Sequence, residues 1–416
     1  MKNYLYALGK KAKKASIKSV SLRKKNKVLK DYCNFLIKNK KRIITENAKD
    51  LKIAKEKKLK ENLLQRLLIN EKRIFEIINS IKKIIKFKDP VNQCLKKWKR
   101  PSGLKIEKIT TPIGVIGVIY ESRPNVTSDI VSLCFKSNNP VILKGGSEAY
   151  YSNKILSNLF RKALKKNKIN LNYVQFIEQK NHKIVDFILS KMSKYIDVII
   201  PRGGKNLVKK VQSLSRIPVI GHLEGVCHTY IDLNANIKLA QKVVSNAKLR
   251  NTAICGATET ILVHKKILKK FCDKILINLQ NKGCKIIAEK KIKKYFKGKF
   301  IVAKKKDWSK EYLAPIVSVK IVNNFKDAIK HINQYGTMHT DAIITKNTSV
   351  AKIFLKEVKS SIAMQNTSTQ YADGGEFGFG GEVGISTNTL PPRGPIGLNQ
   401  LVSYKYQVTS NGKIRK

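Results

Sequence analysis

The stretch RPSGLKIEKITTPIGVIGVIYESRPNVTSD, residues 100–129, decides the fold. Its first half alternates apolar and polar residues beyond a turn at Ser102-Gly103, the pattern of a hairpin with one covered face. VIGVIY at 115–120 is continuously apolar, as a strand covered on both faces must be. Working outward, short apolar runs recur as VILKG at 141–145, YVQFI at 173–177, DVIIPRGG at 197–204 and PVIGH at 218–222, with helical segments between the first three. That rhythm predicts a parallel α/β sheet. A second alternation begins near Thr229 with TYID, a helix over 237–249, a cysteine loop, the strand ETILVH and further helix–strand units to about residue 365. Before the hairpin, Val28, Cys33, Phe35 and Leu36, then Leu63, Leu64, Leu67 and Leu68, keep helical spacing, so residues 3 to about 86 read as a helical lead-in. The last 50 residues turn glycine-rich and end in the strand-like YKYQV at 404–408.

A chain of 416 residues exceeds the size at which one hydrophobic core stops growing, which predicts two or three domains. Its seven cysteines, at 33, 94, 134, 227, 255, 272 and 284, include no C-x-x-C pair, and its six histidines no H-x-x-x-H pair. Neither a disulfide framework nor a metal site is expected, and a reducing cytoplasm is the natural compartment. No apolar run reaches membrane-spanning length. The Lys-rich first 60 residues are interrupted by Glu46, Asp50, Glu56 and Glu61, unlike a transit peptide. The net charge of +57 raises the question of nucleic acid, but lysine is spread along the whole chain without aromatic interleaving or a recognisable module. It reads as compositional drift on solvated faces.

Chemistry concentrates in NTAICGATET, residues 251–260. Thr252, Ala253, Gly256 and Ala257 leave room around Cys255 for a substrate and for bare backbone N–H groups, a setting that suits a reactive thiol. An ordinary thiol is mostly protonated at neutral pH, so a nearby positive charge is needed; Lys248 and Arg250 lie just upstream, where solvated helix-end charge is the competing reading.

Five ordered motifs carry a family resemblance: PIGVIGVIYESRPNVTSD at 112–129, VILKGGSEA at 141–149, IIPRGGKNLV at 199–208, the cysteine loop, and DGGEFGFGGEVGIST at 373–387 followed by PPRGPIGL. Over most of its length the chain resembles the gamma-glutamyl phosphate reductases, the proline-biosynthesis branch of the aldehyde dehydrogenase superfamily. The resemblance implies an aldehyde dehydrogenase-like α/β fold with two open α/β domains: an NADPH-binding domain over 1–95 and 112–229, and a catalytic domain over 230–392. A small oligomerisation element over 96–111 and 393–416 would join the hairpin to the C-terminal strand. It also implies a homo-oligomer, no membrane or nucleic-acid partner, and glutamate 5-kinase as a possible partner. The reaction implied is NADPH-dependent reduction of L-glutamyl 5-phosphate to L-glutamate 5-semialdehyde and phosphate through a thioester on Cys255.

By the same resemblance, Asn125 matches an oxyanion-hole asparagine, with the backbone N–H of Cys255 as its partner. Lys144 and Ser147 would meet the adenosine ribose and its 2′-phosphate, and Gly203 and Gly204 the pyrophosphate at a helix start. Glu376 and Phe377 match a Glu-x-Phe element at the nicotinamide ribose. Arg123 and Arg250 are candidate substrate contacts. Glu224 lies near where aldehyde-oxidising relatives carry a water-activating base, which a reductive enzyme does not need. Two departures stand out: Asn251 where a second arginine is common, and Ala253 where glycine is common. An enzyme that hydrolyses the thioester with water is the alternative within the superfamily.

Overall fold

The computed structural model describes residues 1–59, 61–121, 124–179, 181 and 183–415, the side chain of residue 62 excepted. They divide into two compact units, one of 1–221, 378–384 and 396–416 and the other of 222–377 and 385–395.

The first unit begins with five helices, α1 (Lys2–Ser16), α2 (Leu22–Lys38), α3 (Lys40–Glu56), α4 (Glu61–Leu67) and α5 (Glu71–Lys86). Asn70 starts α5 by accepting the Arg73 N–H at 3.0 Å, which satisfies a donor that the first turn leaves open. The hairpin follows as β1 (Cys94–Lys99) and β2 (Lys105–Pro112). Its turn closes through Gly103, whose φ of 89° is left-handed backbone that glycine adopts without strain. The C-terminal strand Val402–Thr409 pairs antiparallel with β2, placing Tyr406 opposite Lys108.

The core of this unit is a parallel sheet in the order β5-β4-β3-β6, built from β3 (Ile116–Tyr120), β4 (Val141–Gly145), β5 (Val174–Phe176) and β6 (Val198–Arg202). Helices α6 (Pro124–Lys136), α7 (Tyr150–Lys166), α8 (Lys183–Lys191) and α9 (Lys205–Leu214) connect and cover it. The two-residue period of a strand decides which side chain meets which layer. Ile116, Val118 and Tyr120 join the cluster formed with α2, α5, α6 and α7, while Val115 and Ile119 face α1, α8 and α9. Each fully buried aliphatic side chain of this kind contributes about 1.5–3 kcal/mol. PVIGH at 218–222 does not extend into the expected strand: Val219 forms only an isolated bridge to Ile199. Pro218 has no N–H to give a ladder.

The second unit holds a seven-stranded sheet, all parallel, in the order β10-β9-β11-β8-β7-β12-β13. Its strands are β7 (Cys227–Ile231), β8 (Thr258–His264), β9 (Lys285–Ala288), β10 (Ile301–Val302), β11 (Ile316–Val322), β12 (Thr340–Ile344) and β13 (Ile362–Gln365). Helix α10 (Ile237–Leu249) and a helical run from Leu268 to Asn281 cover one face. Helices α13 (Phe325–Tyr335) and α14 (Thr348–Glu357) cover the other, where Tyr230, Leu262 and Ile343 are buried; α11 (Leu268–Phe271) and α12 (Ile277–Asn281) are the ends of the run just named. Asn236, Asn324 and Asn347 each accept a backbone N–H at about the third residue on, so an Asn-rich chain starts three helices with the same device.

The hairpin and C-terminal strand group with the first unit, and the boundary expected at 229/230 falls at Gly221/His222. Among the described residues no helix is long and apolar enough to cross a membrane.

Candidate active site

Four neighbouring strands of the second unit, in the order β11-β8-β7-β12, bring their amino-terminal approaches side by side. The chain enters β8 through the Cys255 loop and β7 through Gly225 and Val226; His339 immediately precedes β12, and Glu311 lies before β11. Residues far apart in sequence therefore meet at one sheet edge.

The loop is fixed on every side. Asn251 accepts the Ala253 N–H at 3.0 Å in a local turn, so this departure from the family pattern gives the loop a hydrogen bond of its own. Ala257 N–H closes on the Ile254 carbonyl at 3.0 Å around Cys255 and Gly256. Buried Gln370 donates to the carbonyls of Ala247, at 2.8 Å, and Asn251, at 3.2 Å, tying the end of α10 to the loop. Cys227 donates its S–H to the Cys255 carbonyl at 3.1 Å. Gly225 lies so close below that a Cβ there would stand 2.1 Å from the Cys255 oxygen and 2.7 Å from its Cα. Only glycine permits that approach. Glu311 in turn accepts the Gly225 N–H at 2.9 Å.

The positive charge near the thiol comes from an unexpected source. Lys248 is fully buried and paired with Glu259 at 2.5 Å, and Arg250 donates its Nε to Gln370 at 2.8 Å. Lys248 is thereby committed to the fold, Arg250 is tied through its Nε alone, and neither is among the groups that lower the thiol pKa. His222 and His339 instead converge on Cys255: the sulfur and one ring nitrogen of each lie within 4.8 Å of one another. The rings meet edge to face, with centroids 4.9 Å apart. His222 Nδ1 lies 2.8 Å from the Ile385 carbonyl, which can only accept, so that nitrogen carries a proton and the other is left to receive one. Burial alone would raise the thiol of half-buried Cys255; His339 and His222 outweigh it and hold the thiol well below its ordinary range. We read the trio as an ion-paired thiolate rather than a metal centre, since a metal on sulfur would take the electron pair that attack requires. Neither histidine carried a signal in the sequence, where both stood outside any motif.

The remaining predicted residues are distributed as follows. Asn125 lies in the first turn of α6 and hydrogen-bonds Asp129 one turn on. Lys144 is the penultimate residue of β4, only 9% exposed, with Nζ 3.0 Å from the Gly145 carbonyl, and burial lowers its pKa. Ser147 follows, half-buried, in a single helical turn. Gly203 and Gly204 lead from β6 into α9, where the Gly204 N–H is accepted by Glu121 at 2.8 Å. Glu121 thus satisfies one of the donors that the start of α9 leaves open. A Cβ at Gly203 would lie 2.5 Å from that carboxylate. Glu376 and Phe377 belong to an exposed turn of the second unit, closed by Asp373 accepting from Gly375 at 2.7 Å. Glu224 is half-buried just before Gly225. Arg123 lies outside the described residues.

The second unit thus holds a thiolate in a cradle of small residues at the end of a parallel sheet. A model of the aldehyde dehydrogenase family matches residues 6–282 and 288–389. The chain belongs to the aldehyde dehydrogenase family. This dehydrogenase is 44% identical over 410 residues to the gamma-glutamyl phosphate reductase of Bartonella bacilliformis, covering 98% of this chain and 99% of the relative. It is similar, with TM-score 0.96 and 38% identity, to the crystal structure of gamma-glutamyl phosphate reductase from Thermotoga maritima, over 99% of this chain and 100% of that one. An acetylating aldehyde dehydrogenase from Geobacillus thermoglucosidasius, 16% identical with TM-score 0.69 over 100% of this chain and 97% of that one, shares the fold. The family works with a nicotinamide dinucleotide.

Proposed function

We propose that this dehydrogenase reduces L-glutamyl 5-phosphate to L-glutamate 5-semialdehyde and phosphate with NADPH, the second step of proline biosynthesis from glutamate. The observation that carries the reading is the Cys255 thiolate between two imidazoles, in a chain that matches gamma-glutamyl phosphate reductases end to end. The thiolate attacks the C5 carbonyl; the electron pair moves to oxygen, and on its return the bond to phosphate breaks. Phosphate leaves and a thioester remains on Cys255. NADPH, when bound, would supply a hydride to the thioester carbonyl. A second oxyanion forms, the carbon–sulfur bond breaks, and semialdehyde leaves with the thiolate restored.

Asn125 and the Cys255 backbone N–H serve both oxyanions, and losing one such donor costs about 3 kcal/mol of transition-state stabilisation. Lys144 and Ser147 hold the ribose and 2′-phosphate, Gly203 and Gly204 the pyrophosphate, and Glu376 and Phe377 the nicotinamide ribose. The Glu121 contact supports the pyrophosphate assignment, because the helix start already accepts an anion. Buried Lys144 supports the choice of NADPH, since a half-desolvated cation favours an added phosphate. Arg250 contacts substrate in this reading through guanidinium nitrogens other than the Nε on Gln370. The reduction needs no water-activating base, and Glu224 is read as a structural carboxylate. Strand Val402–Thr409 leaves Tyr404, Tyr406 and Val408 exposed, which supports self-association through the three-stranded sheet. A cytoplasmic setting, with a glutamate 5-kinase as source of the unstable acyl phosphate, completes the proposal.

The test runs the reaction backwards, from pyrroline carboxylate, with NADP or NAD and with or without phosphate. Turnover that needs phosphate and prefers NADP, and is lost in Cys255→Ala, is the expected result. Turnover with water alone would make the chain a hydrolytic aldehyde dehydrogenase instead.

A further inference from the structure

A cavity of about 320 Å³ opens in the first unit beside Asn125, and its charged lining has no part in the chemistry above. Its walls come from α5 and α6, with the end of α4. On α5, Arg73, Glu76 and Ser80 follow one another at three- and four-residue spacing, which places them on one helix face. On α6, Asn125 and Asp129 are one turn apart on a single face, and Arg66 comes from the last turn of α4. The cavity therefore combines two guanidinium groups, two carboxylates and the amide assigned to the oxyanion.

Asp129, Asn125, Ser80 and Arg73 are held before any ligand arrives. Ser80 donates to Asp129 at 3.0 Å, and Asn125 hydrogen-bonds the same carboxyl. Arg73 donates Nη1 to the carbonyls of Leu68, at 2.5 Å, and Arg66, at 3.3 Å, so its guanidinium is already anchored to the end of α4. Pre-organised charge costs little ordering entropy when a ligand binds. A lining of both signs does not suit an apolar aldehyde, whose chain prefers apolar walls, or a simple dicarboxylate, which would meet two carboxylates. A zwitterion matches it.

We propose that this cavity is the subsite for the α-amino-acid end of the substrate, with Asp129 receiving the ammonium and Arg66 and Arg73 the carboxylate. The inference rests on the functional reading above. In L-glutamyl 5-phosphate four single bonds separate the reacting C5 from the α-nitrogen, a reach of roughly 5 Å. With the carbonyl oxygen at Asn125, the ammonium arrives near the carboxyl that Asn125 touches. Glu76, exposed at the rim, adds a second negative group on the ammonium side. Burial pushes Asp129 up to about 6, with Ser80, Arg202 and Asn125 acting against it, which leaves the group ionised at neutral pH and responsive to a cation.

The experiment compares phosphate-dependent oxidation of glutamate semialdehyde, from pyrroline carboxylate, with that of propanal, which has no amino-acid end. It uses wild type, Asp129→Asn and Arg66→Gln, each checked for folding by circular dichroism. The selectivity ratio, kcat/KM for semialdehyde over propanal, should fall roughly 30- to 100-fold in each variant, the effect of losing a charge-assisted contact. A parallel loss on both substrates, with the ratio preserved, would mean that Asp129 only positions Asn125, and would overturn the proposal. As a second measurement, inhibition of wild type by L-norvaline, an amino-acid head without a reactive carbonyl, should weaken about 30-fold in Arg66→Gln; equal inhibition of both proteins would also overturn it. Wild type that oxidises propanal with phosphate but ignores semialdehyde would defeat the functional reading first and this inference with it.

Discussion

Cys255 and Cys227 lie one hydrogen bond apart and have opposite chemistry. Cys227 opens β7 fully buried, and burial pushes its thiol well above the ordinary range. Its S–H points at the Cys255 carbonyl, where it acts as a weak donor that braces the loop. Cys255 is only half-buried and has two imidazoles within reach, so its thiol goes the other way. Burial likewise drives Cys33, Cys272 and Cys284 up to about 11, 12 and 11. Cys227 also meets His339 Nδ1, at 3.6 Å, yet full burial and the negative charges of Asp341 and Cys255 keep its thiol high, so reactivity here follows from the balance of burial and charge around each sulfur rather than from cysteine itself.

The contrast can be broken most completely by removing each sulfur in turn. Cys255→Ala should lower turnover by about 10⁴-fold or more, measured as phosphate-dependent pyrroline carboxylate oxidation. Cys227→Ala should stay within about tenfold of wild type, and should instead cost about 1–2 kcal/mol of stability through the small cavity it leaves. Comparable losses of turnover in the two variants would erase the distinction. Next in size is Gly225→Ala, whose new Cβ would need the space held by the Cys255 carbonyl. Displacement of the loop by a fraction of an ångström should reduce kcat/KM about 100-fold while unfolding midpoints move by only a few degrees. Arg250→Gln, which removes the cation, tests the other source of charge: with the guanidinium engaged by Gln370, the pH at which Cys255 becomes reactive should hardly move, whereas a shift of a full unit would restore Arg250 as the activating group.

How much of this was legible beforehand differs between the fold and the site. The alternation in residues 100–120 and the short apolar runs after it specify β2, β3, β4 and β6, because strand period and burial leave direct marks on composition. PVIGH failed as a strand because apolar content is not enough where Pro218 removes a donor. Cys255 was recognisable from its small neighbours. His222 and His339 were not: they are 117 positions apart in the chain, outside every motif, and only the order β8-β7-β12 brings them to one thiol. The cationic candidates nearest in sequence, Lys248 and Arg250, misled for the same reason, since adjacency along a helix says nothing about which way a side chain leaves it.

The most direct measurement is the pH dependence of alkylation of Cys255 by iodoacetamide, followed by mass analysis of the modified peptide, in wild type and His339→Gln. In wild type the low thiol pKa means the reactive anion is present across neutral pH and is lost only as pH falls well below it. The rate should therefore be nearly flat from about pH 6.5 to 9, with Cys227 unmodified. In His339→Gln one opposing charge is gone, the thiol pKa rises, and the rate should climb about tenfold per unit toward the ordinary thiol value near 8.5. Coincident profiles for the two proteins, or a wild-type rate already climbing through neutral pH, would contradict the imidazole-held thiolate.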